Sequence, residues 1–131
     1  MDHCPFCWPQ VSSETIIESK YCVFIRNDDE VLKGSGMIVP KEHRETVFDL
    51  TEEETVDTFR LLKQVKLRMD QLYRPDGYNV GWNCYEVGGQ TVFHAHLHII
   101  PRFGDEPLAG KGIRHHLKQK ENKRSIEFDK K

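Results

Sequence analysis

The sequence predicts a single α+β domain with a mainly antiparallel sheet, one long helix and a charged C-terminal tail. Three features of the 131-residue chain carry this prediction: short apolar runs separated by turn residues, one capped stretch of helical periodicity, and the segment "FHAHLHI", which alternates strictly between imidazole and apolar side chains. A chain of this length is large enough for one domain with its own core. A formal charge of −2, with 31% charged and 37% hydrophobic residues, shows no basic excess of the kind nucleic-acid binding requires.

The elements follow in chain order. "ETIIESKYCVFIRND" reads as two strands around a polar turn at Ser19 and Lys20. "DDEVLKGSG" is a polar, glycine-bearing loop that leads into the short apolar strand "MIVP", closed by Pro40. "TEEETVDTFRLLKQVKLRMDQLY" is the helix: Thr51 and Glu54 form a capping box, and Glu52 and Glu53 complement its positive end. Val56, Phe59, Leu62, Val65, Met69 and Leu72 recur at steps of three and four, which predicts one apolar stripe facing the sheet. Pro75 and Gly77 end the helix, "YNVGWN" is a further strand, and the Gly88-Gly89 turn precedes the histidine segment. The core is expected over 4–103. From Gly104 to 131 the tail is charged and weakly periodic, and its last residues read as disordered.

The N-terminus "MDHCPFCWPQ" lacks the basic-then-apolar order of a signal peptide, and no run approaches a membrane span. The chain is therefore expected in a cytoplasm with its four cysteines reduced. Cys22 and Cys84 read as small core residues. Cys4 and Cys7 form a C-x-x-C pair, which can be a redox motif, a metal knuckle or coincidence. Pro5 between them and Trp8-Pro9 after them do not supply the helix opening a redox motif wants. A tetrahedral zinc site needs two more ligands, and spacing alone leaves His3, His43, His94, His98, His115 and His116 all open as partners.

Three of the seven histidines, His94, His96 and His98, fall at every second position between Phe93, Ala95, Leu97 and Ile99. In a strand they share one face at a spacing of roughly 7 Å, while the apolar set packs on a core. A neutral imidazole is a competent nucleophile toward phosphorus, because a pKa of about 6.5 leaves much of it unprotonated near neutrality.

The segment "HAHLHII" resembles the motif of the histidine triad (HIT) nucleotide hydrolases and transferases. The resemblance also takes in "CPFC", "GMIVPKEH", "WN", "GGQTV" and "IIPR". It is closer to the bacterial and fragile-histidine-triad branches than to the nucleoside phosphoramidase branch. It implies a five-stranded sheet and a homodimer paired through the helix and a sheet edge. It also implies cleavage at the α-phosphate of a dinucleoside polyphosphate, releasing a monophosphate such as AMP. By the same resemblance His96 is the nucleophile and His98 contacts the phosphates. Gln90 and Thr91 line the phosphate pocket, Asn83 lies near the phosphates or leaving group, and Asn27 holds the ribose. Cys4, Cys7, His43 and His94 hold a structural zinc.

Apolar residues Phe6, Phe24, Ile25 and Met37 are candidates for a base pocket, and Arg102, Lys111 and Arg114 for distal phosphates. Ser35 stands where relatives carry a histidine, and the tail is variable among them, so base preference does not transfer. Competing readings are a phosphoramidase cleaving P–N bonds, a non-catalytic nucleotide-binding or zinc-stabilised interaction module, and a cupin-like metal enzyme using all three triad histidines as ligands.

Overall fold

A computed structural model describes residues 4–126; His3 and positions 127–131 lie outside the described residues. Strands β1 (Thr15–Glu18), β2 (Cys22–Arg26), β3 (Gly36–Pro40), β4 (Gly77–Gly81) and β5 (Leu97–Arg102) form one antiparallel sheet in the order β1-β2-β3-β5-β4. Helix α1 (Glu52–Tyr73) crosses one face, and α2 (Arg114–Leu117) is a single turn in the tail. The α+β fold expected from the sequence is the fold observed.

Alternation along β2, β3 and β5 sorts side chains between two cores. Cys22, Phe24, Ile38, Leu97 and Ile99 meet Leu61, Val65 and Met69 of α1. On the other face Val23, Ile25, Met37 and Val39 pack with Val11 and Phe6 of the N-terminal segment. Phe24 therefore cannot join Phe6, Ile25 and Met37 in a base pocket, because one residue of register puts it on the helix side. Gly36 is required where β3 passes Phe24: a Cβ there would overlap the Phe24 ring and lie 2.8 Å from the Ile25 carbonyl oxygen.

The capping box at Thr51 and Glu54 forms as expected. The expected stripe of α1 forms in part: Val65 and Met69 are buried and Leu62 packs against the core, but Glu54, Thr58 and Leu61 complete the buried face, while Val56, Phe59 and Leu72 are exposed. Burying Leu61, Val65 and Met69 contributes about 5–9 kcal/mol before entropy is subtracted. Two polar residues can sit on this face because their needs are met locally. Thr58 Oγ1 donates to the Glu54 carbonyl at 2.7 Å, and the Glu54 carboxylate is bonded to Arg44.

The histidine segment also departs from its expected form. β5 begins only at Leu97, so His94 and His96 precede the strand. The reason is a crossing bond: the Ala95 N–H donates to the Arg44 carbonyl at 2.6 Å and turns the backbone off the ladder between the two histidines.

Candidate functional site

The site assembles where residues 4–14, the loop after β3 and the entry to β5 converge on the sheet face away from α1. Cys4 and Cys7 occupy a turn closed by a Cys7 N–H to Cys4 carbonyl bond, and Val11 N–H then bonds the Cys7 carbonyl. His43 arrives from the loop after Pro40, and His94 from the approach to β5. The ligand atoms of Cys4, Cys7, His43 and His94 all lie within 4.8 Å of one another. His94 Nδ1 is 3.3 Å from Cys4 Sγ and 3.6 Å from Cys7 Sγ, and His43 Nδ1 is 3.3 Å from Cys7 Sγ. Metal–sulfur and metal–nitrogen bonds of about 2.3 and 2.0–2.1 Å at tetrahedral angles place S and N about 3.6 Å apart. These four donors fit a tetrahedral metal.

Hydrogen bonding determines the tautomers. His94 Nε2 lies 2.8 Å from the Pro40 carbonyl, which only accepts, so Nε2 carries the proton and Nδ1 turns a lone pair on the thiols. Burial pushes the His94 pKa down to about 4, keeping the ring neutral. Burial, with Cys4 as neighbour, pushes the Cys7 thiol up to about 11. Metal binding here must displace thiol protons.

His96 and His98 form the second half of the site. Their rings meet edge to face with centroids 4.8 Å apart, and Phe6 covers His96 at 5.2 Å. His96 Nδ1 lies 2.8 Å from the His94 carbonyl, so Nδ1 is again the protonated nitrogen and Nε2 keeps its lone pair. Burial, reinforced by His96, holds the His98 pKa below its ordinary value. The three imidazoles do not share one cleft: His94 belongs to the thiol cluster, with His43 5.1 Å away, and His96 and His98 form a pair.

The remaining expected residues divide by what engages them. Asn27 is exposed at the end of β2, its backbone N–H bonded to the Ser35 carbonyl. Thr91 and Asn83 are exposed, and Asn83 faces the Gly89 backbone. Gln90 is 2% exposed and its carboxamide is engaged: Oε1 accepts the Tyr85 N–H, and Nε2 donates to the Glu45 and Val92 carbonyls. Its amide hydrogens thus hold the 84–92 loop. Ser35 is 4% exposed, and its Oγ has no hydrogen-bond partner among the described residues. Arg102 is engaged within the chain. Its guanidinium donates to Glu106, to Asn79 and to the Leu108 and Lys111 carbonyls, which fastens the tail onto the sheet.

Sequence reasoning missed Arg44. Its Nε and Nη2 grip Glu54 at 3.0–3.2 Å while its carbonyl holds Ala95 N–H, linking the helix cap to the backbone between His94 and His96. Burial opposes ionisation of Glu54, but the bonds from Arg44 and Thr51 outweigh it and hold the carboxyl below its ordinary pKa. An arginine beside a metal-ligand candidate, ten residues before a capping glutamate, was the available signal.

A family profile described as the HIT domain matches residues 9–105. The chain belongs to the HIT family and is an enzyme of its nucleotide-hydrolysing or nucleotide-transferring type. It is 31% identical over 106 residues to Protein hit of Bacillus subtilis, covering 79% of this chain and 73% of that one. To adenosine 5'-monophosphoramidase hnt1 of Schizosaccharomyces pombe it is 35% identical over 80 residues, covering 61% and 57%. The structure of Plasmodium falciparum diadenosine triphosphate hydrolase superposes with a TM-score of 0.67 at 28% identity, covering 71% of this chain and 63% of that one. Among the described residues no helix is long and apolar enough to cross a membrane.

Proposed function

We propose that the protein hydrolyses a dinucleoside polyphosphate at its α-phosphate through a nucleotidyl-His96 intermediate, releasing AMP. The observation that carries this reading is the bond from His96 Nδ1–H to the His94 carbonyl. A backbone acceptor leaves Nε2 unprotonated and steers the ring, which is what an imidazole nucleophile needs. In the first step the Nε2 lone pair forms a P–N bond while the P–O bond to the bridging oxygen breaks, its electron pair leaving with the polyphosphate. In the second, water attacks phosphorus, the P–N electron pair returns to Nε2, and the water proton goes to solvent or the departed phosphate. His98, kept neutral, donates one N–H to a phosphate oxygen. Asn27 takes the ribose hydroxyls, Thr91 and Asn83 the phosphates, and Gln90 acts as a positioning residue through the loop it holds.

Cys4, Cys7, His43 and His94 would hold zinc, which closes its four-coordinate shell and supplies structural cross-linking. The exposed Val56 and Phe59 on α1, with Trp82 packed 6.2 Å from Phe59 and the unpaired edge of β4 beside them, support pairing of two copies.

A second reading, P–N hydrolysis of a nucleoside phosphoramidate, is favoured by the similarity to the fission-yeast phosphoramidase. Timed chromatography of diadenosine tetraphosphate and adenosine phosphoramidate with wild type and His96→Ala tests both. AMP from the wild type and none from the variant is the expected result, and the faster substrate selects the branch. AMP release undiminished in His96→Ala would remove the covalent mechanism.

A further inference from the structure

Two residues along β5 from His98, on the same face, Ile100 lines a cavity of about 790 Å³. That volume lies in the range of small-molecule sites, roughly 300–1,000 Å³. Val31 and Leu32 form one wall from the loop before β3, and Phe103, Pro107 and Leu108 form another from the tail. Val31, Leu32 and Leu108 are 83%, 43% and 53% exposed, so these apolar groups face open space. The walls are held in place: Arg102 ties Leu108 and Lys111 to β4 through Asn79, and Glu106 Oε2 accepts the Phe103 N–H at 2.7 Å.

The polar rim of this apolar bed is basic, with Asn79 the neutral group among its side chains. Lys33, Lys111, His115 and His116 line it, and its one carboxylate, Glu106, is engaged by Arg102. Burial, then His116, Lys111 and Lys118, lowers the His115 pKa, so this ring offers the rim an N–H donor more than a charge. The bed suits a planar apolar group that carries negative charge, and it adjoins the histidine pair by one pleat, roughly 7 Å.

We propose that this cavity binds the leaving nucleotide of the substrate. Its base lies between Leu32 and Leu108, and its phosphates meet Lys33, Lys111 and the His115-His116 pair. The assignment rests on His96 as the point of attack. It makes the substrate a molecule with a nucleoside at both ends of its phosphate chain, and it gives the variable tail the task of choosing the leaving group.

The test uses His96→Ala protein, which cannot form the P–N bond, titrated calorimetrically with diadenosine tetraphosphate and with AMP. Diadenosine tetraphosphate is expected to bind at least tenfold tighter than AMP. Leu108→Asn or Lys111→Glu, both at exposed positions, should then reduce that advantage at least threefold. Equal affinities in the parent, or an advantage that neither variant reduces, would overturn the assignment. Turnover of wild type on the same substrate keeps the two readings apart. Absence of AMP release alongside the expected binding pattern removes the hydrolase reading and, with it, the leaving-group role, while the cavity keeps only the binding of a second nucleotide. Normal turnover with an insensitive advantage removes the cavity assignment alone.

Discussion

Replacing Glu54 with alanine removes the carboxylate that joins the helix cap, through Arg44, to the backbone between His94 and His96. Its oxygens accept three bonds from the Arg44 guanidinium at 3.0–3.2 Å and one from the Thr51 N–H at 2.8 Å. Breaking a buried ion pair from one side costs about 3–5 kcal/mol. The Arg44 side chain is 31% exposed, so water takes over part of its requirement and the loss falls to about 2–3 kcal/mol. The lost capping-box bond adds about 0.5–1 kcal/mol, for a total near 3 kcal/mol. For a domain of this size that is roughly 10–12 °C in Tm. Urea unfolding of Glu54→Ala, Arg44→Ala and the double variant measures it, and the double variant should lose less than the sum of the singles. A loss below about 1 kcal/mol in Glu54→Ala, or strict additivity, would refute the role given to the pair. The pH dependence follows in sign. The folded pKa of Glu54 lies below its unfolded value, so the contribution is complete above about pH 4.3 and disappears as pH falls through the folded pKa. The difference between wild type and Glu54→Ala should therefore shrink in acid.

Gly36→Ala should destabilise by about 1–3 kcal/mol, because its methyl meets the Phe24 ring and the Ile25 carbonyl; an unchanged urea midpoint would show that the ring moves aside freely. Gly88→Ala places a methyl against the Cys84 carbonyl oxygen, so the loop held by Gln90 must shift. Turnover should fall at least tenfold with little change in Tm, whereas wild-type turnover would free that loop from any role in the reaction. Chelation should lower stability by at least about 4 kcal/mol relative to protein in metal at a thousandfold above its Kd, and Cys7→Ser should melt like the chelated wild type. Identical melting curves with and without chelator, on protein shown by elemental analysis to bind zinc, would exclude a structural metal.

Much of this arrangement was legible in the residues. The cap at Thr51 and Glu54, the strand runs and the proline and glycine stops are local signals, and the local structure follows them. The buried stripe of α1 was legible only at Val65, Met69 and the half-buried Leu62, because Val56, Phe59 and Leu72 fall at the same helical spacing yet face solvent. The true face includes Glu54 and Thr58, whose polarity is neutralised by partners that only the fold supplies. The histidine alternation located the site yet misplaced the start of β5, since the Arg44–Ala95 bond joins residues 51 positions apart. Arg102 was read as a free cation for the same reason. Its four acceptors come from β4 and from a tail with no periodicity to betray them.

The two carbonyls that orient His94 and His96 belong to Pro40 and to His94 itself, and both are main-chain atoms. A side chain can be exchanged by mutation; a peptide oxygen stays as long as the chain keeps its path. Proton placement in this centre is therefore insulated from sequence drift at neighbouring positions. The walls of the adjoining cavity, built from side chains of a loop and a tail, have no such protection. Descendants of this chain can change what they accept without relearning how to attack it.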